Sequence, residues 1–218
     1  MKKSEIDRLG ERLRTAVTSD DLRSLDAYRR DFRYSYDEVV GWIRSELNVQ
    51  VTGRPAKSTT AIVDKLRRGS MRLTQMQDIA GCRAVVPDIA QQESMLQEIS
   101  RMFKIDVIDR RQRPSHGYRA VHTVVRSTPR PVEIQIRTDL QHTWAELSEK
   151  VADFVGFDVK YGGGPDSVRQ MLERYSRLIS ELEADYSRSA NDADSTGELR
   201  AEMRQILSNL RKVPEDRK

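Results

Sequence analysis

Glu133, Gln135 and Arg137 alternate with Val132, Ile134 and Ile136 in the run Val132–Thr138, and a period of two is that of a half-buried β-strand. Side chains two apart on a strand share a face and lie roughly 6.6 Å apart. A carboxylate, an amide and a guanidinium therefore line up opposite a row of core residues. A second carboxylate, Asp78, opens the run Asp78-Ile79-Ala80-Gly81-Cys82-Arg83, where glycine lets a ligand approach the backbone. Two carboxylates meeting at one sheet suit Mg2+, which takes oxygen ligands and shares them with substrate phosphates. Cations surround this pair. Arg54 and Lys57 sit just before an expected helix and Lys65 inside it, a natural phosphate site because a helix N-terminus presents free N–H groups and partial positive charge. Arg83 adds a fourth cation. The stretch Asp109–His116 holds Arg110, Arg111 and Arg113 without apolar period, which suits an anionic ligand, and Tyr118 beyond it offers a stacking surface. Together these residues point to transfer of a phosphoryl or pyrophosphoryl group between nucleotides, chemistry that rests on positioning and charge neutralisation. The pattern Gly-x-x-x-x-Gly-Lys-[Ser/Thr] does not occur, so this is not a P-loop site.

The elements that must hold these groups follow from periodicity. Ile6, Leu9, Leu13 and Val17 have helical spacing behind a candidate N-cap, Ser4. A second helix is expected from Ser19, and a third over Tyr34–Leu47. Asn48–Thr52 reads as a short strand ending at Gly53, followed by a helix capped by Ser58 or Thr59 with Ile62, Val63 and Leu66 buried. A turn near Thr74 leads to an apolar strand through Ala84-Val85-Val86. A helix over Ile89–Phe103 precedes strands at Ile105–Ile108, Arg119–Val125 and Val132–Thr138, and Thr138 caps a helix through Val151. Gly162-Gly163-Gly164-Pro165 breaks the chain. Beyond it Met171, Leu172, Tyr175, Leu178, Leu182 and Tyr186 mark a long helix, Ser187–Gly197 reads as linker, and Leu199, Met203, Ile206 and Leu210 mark a last helix before a charged tail. The expected class is α+β: a mixed β-sheet of about five strands flanked by helices. The expected division is N-terminal helices over 1–47, a catalytic core over 48–161 and a C-terminal helical extension over 165–218.

Composition narrows the setting. The 218 residues carry 38 Lys and Arg against 34 Asp and Glu, an excess that permits a polyanionic ligand. The single cysteine, Cys82, excludes a disulfide framework and suits a reducing cytosol. No stretch approaches the ~20 apolar residues of a membrane span, so the expectation is a cytoplasmic protein without a membrane partner. His116, His122 and His142 fall within 27 residues, which argues against a multi-histidine metal hydrolase elsewhere in the chain.

Four ordered motifs carry a family resemblance: Gly53-Arg54…Lys57-Ser58…Lys65-Leu66, Asp78-Ile79-Ala80-Gly81-Cys82-Arg83, Gly117-Tyr118-Arg119-Ala120-Val121-His122 and Glu133-Ile134-Gln135-Ile136-Arg137-Thr138. From about residue 35 to 160 the sequence resembles the synthetase domain of the RelA/SpoT family, the alarmone (p)ppGpp synthetases, in its small single-domain form. The resemblance implies a nucleotidyltransferase-like synthetase fold and an ATP-dependent pyrophosphokinase. Arg54 and Arg83 would sandwich adenine, and Lys57 and Lys65 would hold the ATP phosphates. Asp78 and Glu133 would bind Mg2+, with Glu133 also the base for the acceptor's 3′-hydroxyl. Tyr118 would stack on the acceptor base, usually guanine, while His122, Gln135 and Arg137, with Arg113 of the arginine-rich loop, would line the acceptor and phosphate side. The β,γ-pyrophosphate of ATP would pass to the ribose 3′-OH of GDP or GTP, leaving AMP.

The sequence departs from the family pattern in four places. One extra residue separates Arg54 from Lys57, the acceptor loop reads Arg111-Gln112-Arg113-Pro114-Ser115-His116, Ser148-Glu149 stands where many small synthetases have Glu-His, and Lys160-Tyr161 reverses the familiar order. These departures, with Arg29-Arg30 and Arg67-Arg68, keep open a toxic relative that pyrophosphorylates the 3′-end of tRNA or an adenine nucleotide. An inactive nucleotide-binding module is a third reading, opposed by the intact Asp78 and Glu133. The helical tail would pack on the domain, on a second copy, or on a partner such as an antitoxin.

Overall fold

In a computed structural model of the protein, which describes residues 1–186 and 193–211, the strand Val132–Thr138 is the third of five in one mixed sheet. The strands are β1 (Val51–Arg54), β2 (Ala80–Val86), β3 (Ile105–Asp109), β4 (Val121–Val125) and β5 (Val132–Thr138), in the order β1-β2-β5-β4-β3. β5 alternates as its sequence predicts, with Val132, Ile134 and Ile136 all at 0% exposure. Its other row is drier than expected: Arg137 is only 4% exposed.

β1 runs antiparallel to β2 with Arg54 opposite Gly81 and Thr52 opposite Arg83. β1 starts three residues later and ends two residues later than the expected Asn48–Thr52, because cross-strand hydrogen bonding carries it through Gly53 and Arg54 and overrides the weak strand preference of glycine. Gly53 is required here. A Cβ at that position would stand 2.5 Å from Gly81 O and 2.6 Å from the Cys82 Cα. β2 starts at Ala80 rather than Ala84, since Ala80, Cys82, Ala84 and Val86 already bury every second side chain.

The helices are α1 (Lys3–Thr15), α2 (Ser19–Arg30), α3 (Arg33–Glu46), α4 (Thr59–Arg68), α5 (Ile89–Met102), α6 (Asp139–Val155), α7 (Asp166–Tyr186) and α8 (Ala193–Arg211). Ser4 is not the first cap. α1 begins one residue earlier, and the Lys2 N–H donates to the Glu5 carboxylate at 2.7 Å. α4 is capped by Ser58, whose Oγ accepts from the Ala61 N–H at 3.3 Å. α8 starts at Ala193, inside the stretch expected as linker. Residues 187–192, the tail beyond Arg211 and the side chains of Tyr186 and Leu210 lie outside the described residues.

The chain divides into two compact units. The first comprises Met1–Ala84, Gln97–Val107 and His122–Gln135. Its core takes the apolar stripes of α1 (Ile6, Leu9, Leu13), α2 (Leu25, Tyr28), α3 (Val39, Ile43) and α4 (Ile62, Leu66), together with Leu73 and Ile79. The second comprises Val85–Leu96, Ile108–Val121 and Ile136–Lys218. There α7 and α8 pack on α6, with Leu172, Tyr175, Ile179, Leu199, Met203 and Leu207 clustering against Leu140, Trp144, Leu147 and Val151. Of the destinations expected for the helical tail, packing within the chain is the one seen. Among the described residues no helix is long and apolar enough to cross a membrane.

Candidate active site

The N-terminal motif is brought to Asp78 by the β1–β2 pairing. Beyond Arg54 the pairing ends in one more backbone bond, from the Lys57 N–H to Ile79 O at 2.7 Å, which sets the Lys57 side chain beside Asp78. Lys57 Nζ lies 2.7 Å from Asp78 Oδ2, and Lys65 Nζ, from the second turn of α4, lies 2.7 Å from Oδ1. Burial raises the carboxyl's pKa, but the hydrogen bonds and charges of the two lysines outweigh it and hold Asp78 below the usual aspartate range. Asp78 is thus ionised.

Gly81 admits the second carboxylate. A Cβ on Gly81 would come within 3.2 Å of Glu133 O and 3.5 Å of Glu133 Cβ, so the missing side chain lets β5 approach β2 at Glu133. Glu133 Oε1 lies 2.9 Å from His122 Nδ1, and Oε2 accepts from the Gln135 amide at 3.2 Å. Burial raises the Glu133 pKa. The His122 hydrogen bond and charge oppose burial strongly, the Asp78 charge adds to it, and the Gln135 hydrogen bond helps bring Glu133 below the usual range. The two ionised carboxylates thus feel each other's charge.

The strand register puts two further cations on this face. Thr52 is opposite Arg83 and Arg54 opposite Gly81, and cross-strand partners share a face, so Arg54 and Arg83 are diagonal neighbours. Arg54 is exposed and Arg83 half-buried. Asp78, Lys57, Lys65, Glu133, His122 and Gln135 are therefore brought together as the motifs imply, with Arg54 and Arg83 along the same strand pair. All eight belong to the first unit.

Tyr118, Arg113 and Arg137 belong to the second unit. Tyr118 follows a tight turn in which His116 (φ 51°) and Gly117 (φ 84°) both take positive φ, as primed hairpin turns demand. Ser115 and Tyr118 exchange backbone hydrogen bonds across it. Gly117 is required twice over, since a Cβ would stand 2.7 Å from Trp144 Cζ2. The Arg137 guanidinium lies 5.0 Å from the Tyr118 ring centroid, and its Nη2 donates to the Tyr118 hydroxyl at 3.0 Å. Arg137 is a buried partner of Tyr118 rather than a solvent-facing cation. Arg113 is exposed, and among the described residues it makes no ion pair. Arg111, in contrast, is bound by Asp109 and by Glu93, the latter at 2.6 Å.

Glu183, a half-buried acid on α7, lies outside the motifs. Its carboxylate accepts from the Thr138 hydroxyl and from the Gln141 amide at 3.0 Å. Burial raises its pKa, with the hydrogen bonds and the charges of Arg119 and Arg111 opposing. A signal existed: Leu172, Ser176, Ile179 and Glu183 recur at spacings of four, three and four, so an acid and a serine sit on the buried stripe.

Among the described residues no group of three or more His, Cys, Asp or Glu gathers as a metal cage. Asp78 and Glu133 remain a hard, oxygen-only and ionised donor pair. That fits Mg2+, which is commonly held by one or two carboxylates and completed by water and phosphate.

Residues 53–152 match the family model described as the region found in RelA / SpoT proteins. An uncharacterised protein of Mycobacterium tuberculosis is 41% identical over 140 residues, covering 61% of this chain and 50% of that protein. The chain thus spans about half the length of the curated relatives it matches. A GTP pyrophosphokinase of Haemophilus influenzae is 27% identical over 174 residues, 77% of this chain and 22% of the relative. Among solved structures, the small alarmone synthetase 1 from Bacillus subtilis bound to its product pppGpp superposes with a TM-score of 0.61 at 25% identity, covering 76% of this chain and 96% of that one.

Proposed function

We propose, from the match of residues 53–152 to the region found in RelA / SpoT proteins, that the chain is a Mg2+-dependent pyrophosphokinase that moves the β,γ-pyrophosphate of ATP to the ribose 3′-OH of GDP or GTP. The observation that carries the reading is the pairing of two ionised carboxylates inside the matched region: Asp78 between Lys57 and Lys65, and Glu133 against His122.

Glu133 takes the proton of the 3′-hydroxyl, and that oxygen attacks the β-phosphorus of ATP. The bond from the β-phosphorus to the oxygen bridging it to the α-phosphorus breaks, and AMP leaves with that oxygen. A base works best with its proton acceptor ionised and aimed, and the His122 and Gln135 contacts hold the Glu133 carboxylate in one orientation. Asp78 and Glu133 would hold Mg2+, which when bound neutralises charge on the phosphates. Lys57 and Lys65 are positioned to pass from Asp78 to phosphate oxygens, and the Arg54–Arg83 pair is the candidate clamp on adenine. Tyr118, steadied by Arg137, is the candidate stacking surface for the acceptor base, with Arg113 an exposed cation on the same loop.

A second reading draws on one observation. A cleft of about 490 Å3 in the first unit is lined by Arg29, Arg30 and Arg33 with Asp26. Arg29 and Arg30 end α2 and Arg33 begins α3, and three guanidiniums on one cleft suit phosphates of a nucleic-acid acceptor such as the 3′-end of tRNA. One assay separates the readings: the purified chain, Mg2+ and ATP labelled on the γ-phosphate, with GDP, GTP, ATP or deacylated tRNA offered singly. Label on a guanine nucleotide is expected. Label on tRNA alone would replace the leading reading with the second, and label on no acceptor would leave a nucleotide-binding module.

A further inference from the structure

Within the second unit lies a cavity of about 460 Å3 that shares no residue with the carboxylate–lysine cluster. A volume of ~300–1,000 Å3 is that of small-molecule sites. Its wall takes Glu93 from α5, Arg111, Gln112 and Arg119 from the segment between β3 and β4, and Ser180 and Glu183 from α7.

The two arginines differ in their partners. Arg111 is neutralised by Asp109 and Glu93. Arg119 is half-buried, and its hydrogen bonds go to neutral oxygens only: Nε to Ser176 O at 3.1 Å and to Ser176 Oγ at 2.9 Å, and Nη1 to Arg111 O. Among the described residues no carboxylate pairs with it within 4.0 Å. Burial pulls its pKa below the usual arginine range, opposed by the more distant charge of Glu183. A guanidinium taken partly out of water is costly unless an anion meets it. The three contacts also fix the orientation of the guanidinium before any ligand arrives, which lowers the ordering cost of binding.

We infer that this cavity is a binding site for a phosphoryl-bearing small molecule seated on Arg119. Two further donors, the Gln112 amide and the Ser180 hydroxyl, come from different walls of the cavity. A tetrahedral group with three terminal oxygens can meet donors arriving from three directions, whereas a planar carboxylate is best met by a single guanidinium fork. Glu93 and Glu183 line the same cavity, so any group borne on the phosphate is polar and offers hydrogen-bond donors. The phosphoryl group can be free phosphate or the 5′-phosphate of a nucleotide.

The test reads amide exchange along the full chain by mass spectrometry, without added metal. Inorganic phosphate is titrated in one arm and guanosine 5′-monophosphate in the other. Slowed exchange is expected over 109–120 and 172–184. Slowing in the phosphate arm alone identifies free phosphate as the ligand, and slowing with the nucleotide alone identifies a phosphomonoester. Arg119→Gln should abolish the effect, and the exposed Gln112→Glu should weaken it at least tenfold. If Arg119→Gln does not fold, judged by circular dichroism, Gln112→Glu carries the test. Slowing confined to 54–66 and 78–83, no slowing in either arm at millimolar ligand, or unchanged affinity in Gln112→Glu each overturns the proposal. Because the readout needs no turnover, the site stands or falls independently of the pyrophosphokinase reading.

Discussion

His122 Nδ1 lies 2.9 Å from Glu133 Oε1, and this contact joins β4 to β5 at the carboxylate proposed to take the acceptor proton. Glu133→Gln keeps a side-chain oxygen for the imidazole but loses the basic group. Pyrophosphate transfer is expected to fall by about 10²–10⁴-fold, the usual contribution of a positioned base, with ATP affinity largely kept. Initial rates of label transfer and equilibrium ATP binding measure the two effects. Unchanged turnover removes Glu133 from its role.

Acid stability should depend on the two site carboxylates. Asp78 and Glu133 titrate below their ordinary values of 3.8 and 4.5 when folded. Their contribution is therefore fully present above those values and lost as pH falls through the lower folded ones. Glu183 has the opposite sign. Its folded pKa is raised above 4.5, so its contribution is present in more acid solution and lost as pH rises through the folded value. Thr138, Gln141, Arg119 and Arg111 are the groups acting on it. Urea denaturation between pH 4 and pH 8 should show Glu183→Gln flattening the decline on the alkaline side, relative to the unsubstituted chain. Parallel curves for the two proteins would contradict this.

Two glycines should respond oppositely to alanine. At Gly53 the new methyl would meet backbone atoms of β2 at 2.5 and 2.6 Å, and overpacking of this kind costs about 1–3 kcal/mol. At Gly41, exposed within α3, nothing lies within 4 Å, and helix propensity alone should stabilise by up to about 1 kcal/mol. Thermal unfolding of Gly53→Ala and Gly41→Ala should shift in opposite directions.

Tyr118 and Arg137 form one unit of hydrogen bond and guanidinium–ring contact. Tyr118→Ala should raise KM for the acceptor far more than KM for ATP. Arg137→Lys loses the planar fork and should raise the acceptor KM in the same direction but less. Steady-state kinetics with each substrate varied in turn tests both, and equal effects on the two KM values would contradict the stacking role.

Much of this was legible in the sequence, for a physical reason. Period-two alternation in β5 and the capping residues Ser58 and Thr138 are local signals, and the structure follows them. The end of β1 is not a local signal, because pairing with β2, not local preference, draws Gly53 and Arg54 into a strand. Arg137 reads as one of three polar side chains on a wet face, yet it is buried because Tyr118, nineteen residues earlier, meets it. Glu183 could not be assigned a partner at all, since Thr138 and Gln141 lie more than forty residues upstream.

Thr138 closes β5 and caps α6, with no residue between strand and helix. Glu183, on the next helix α7, binds its hydroxyl and the Gln141 amide. An expression fragment that stops at the Gly162–Pro165 break would thus remove a keystone. The strand that bears Glu133 would then end on a helix start whose Thr138 hydroxyl and Gln141 amide have lost their Glu183 partner. The boundary for a recombinant catalytic fragment belongs after α8.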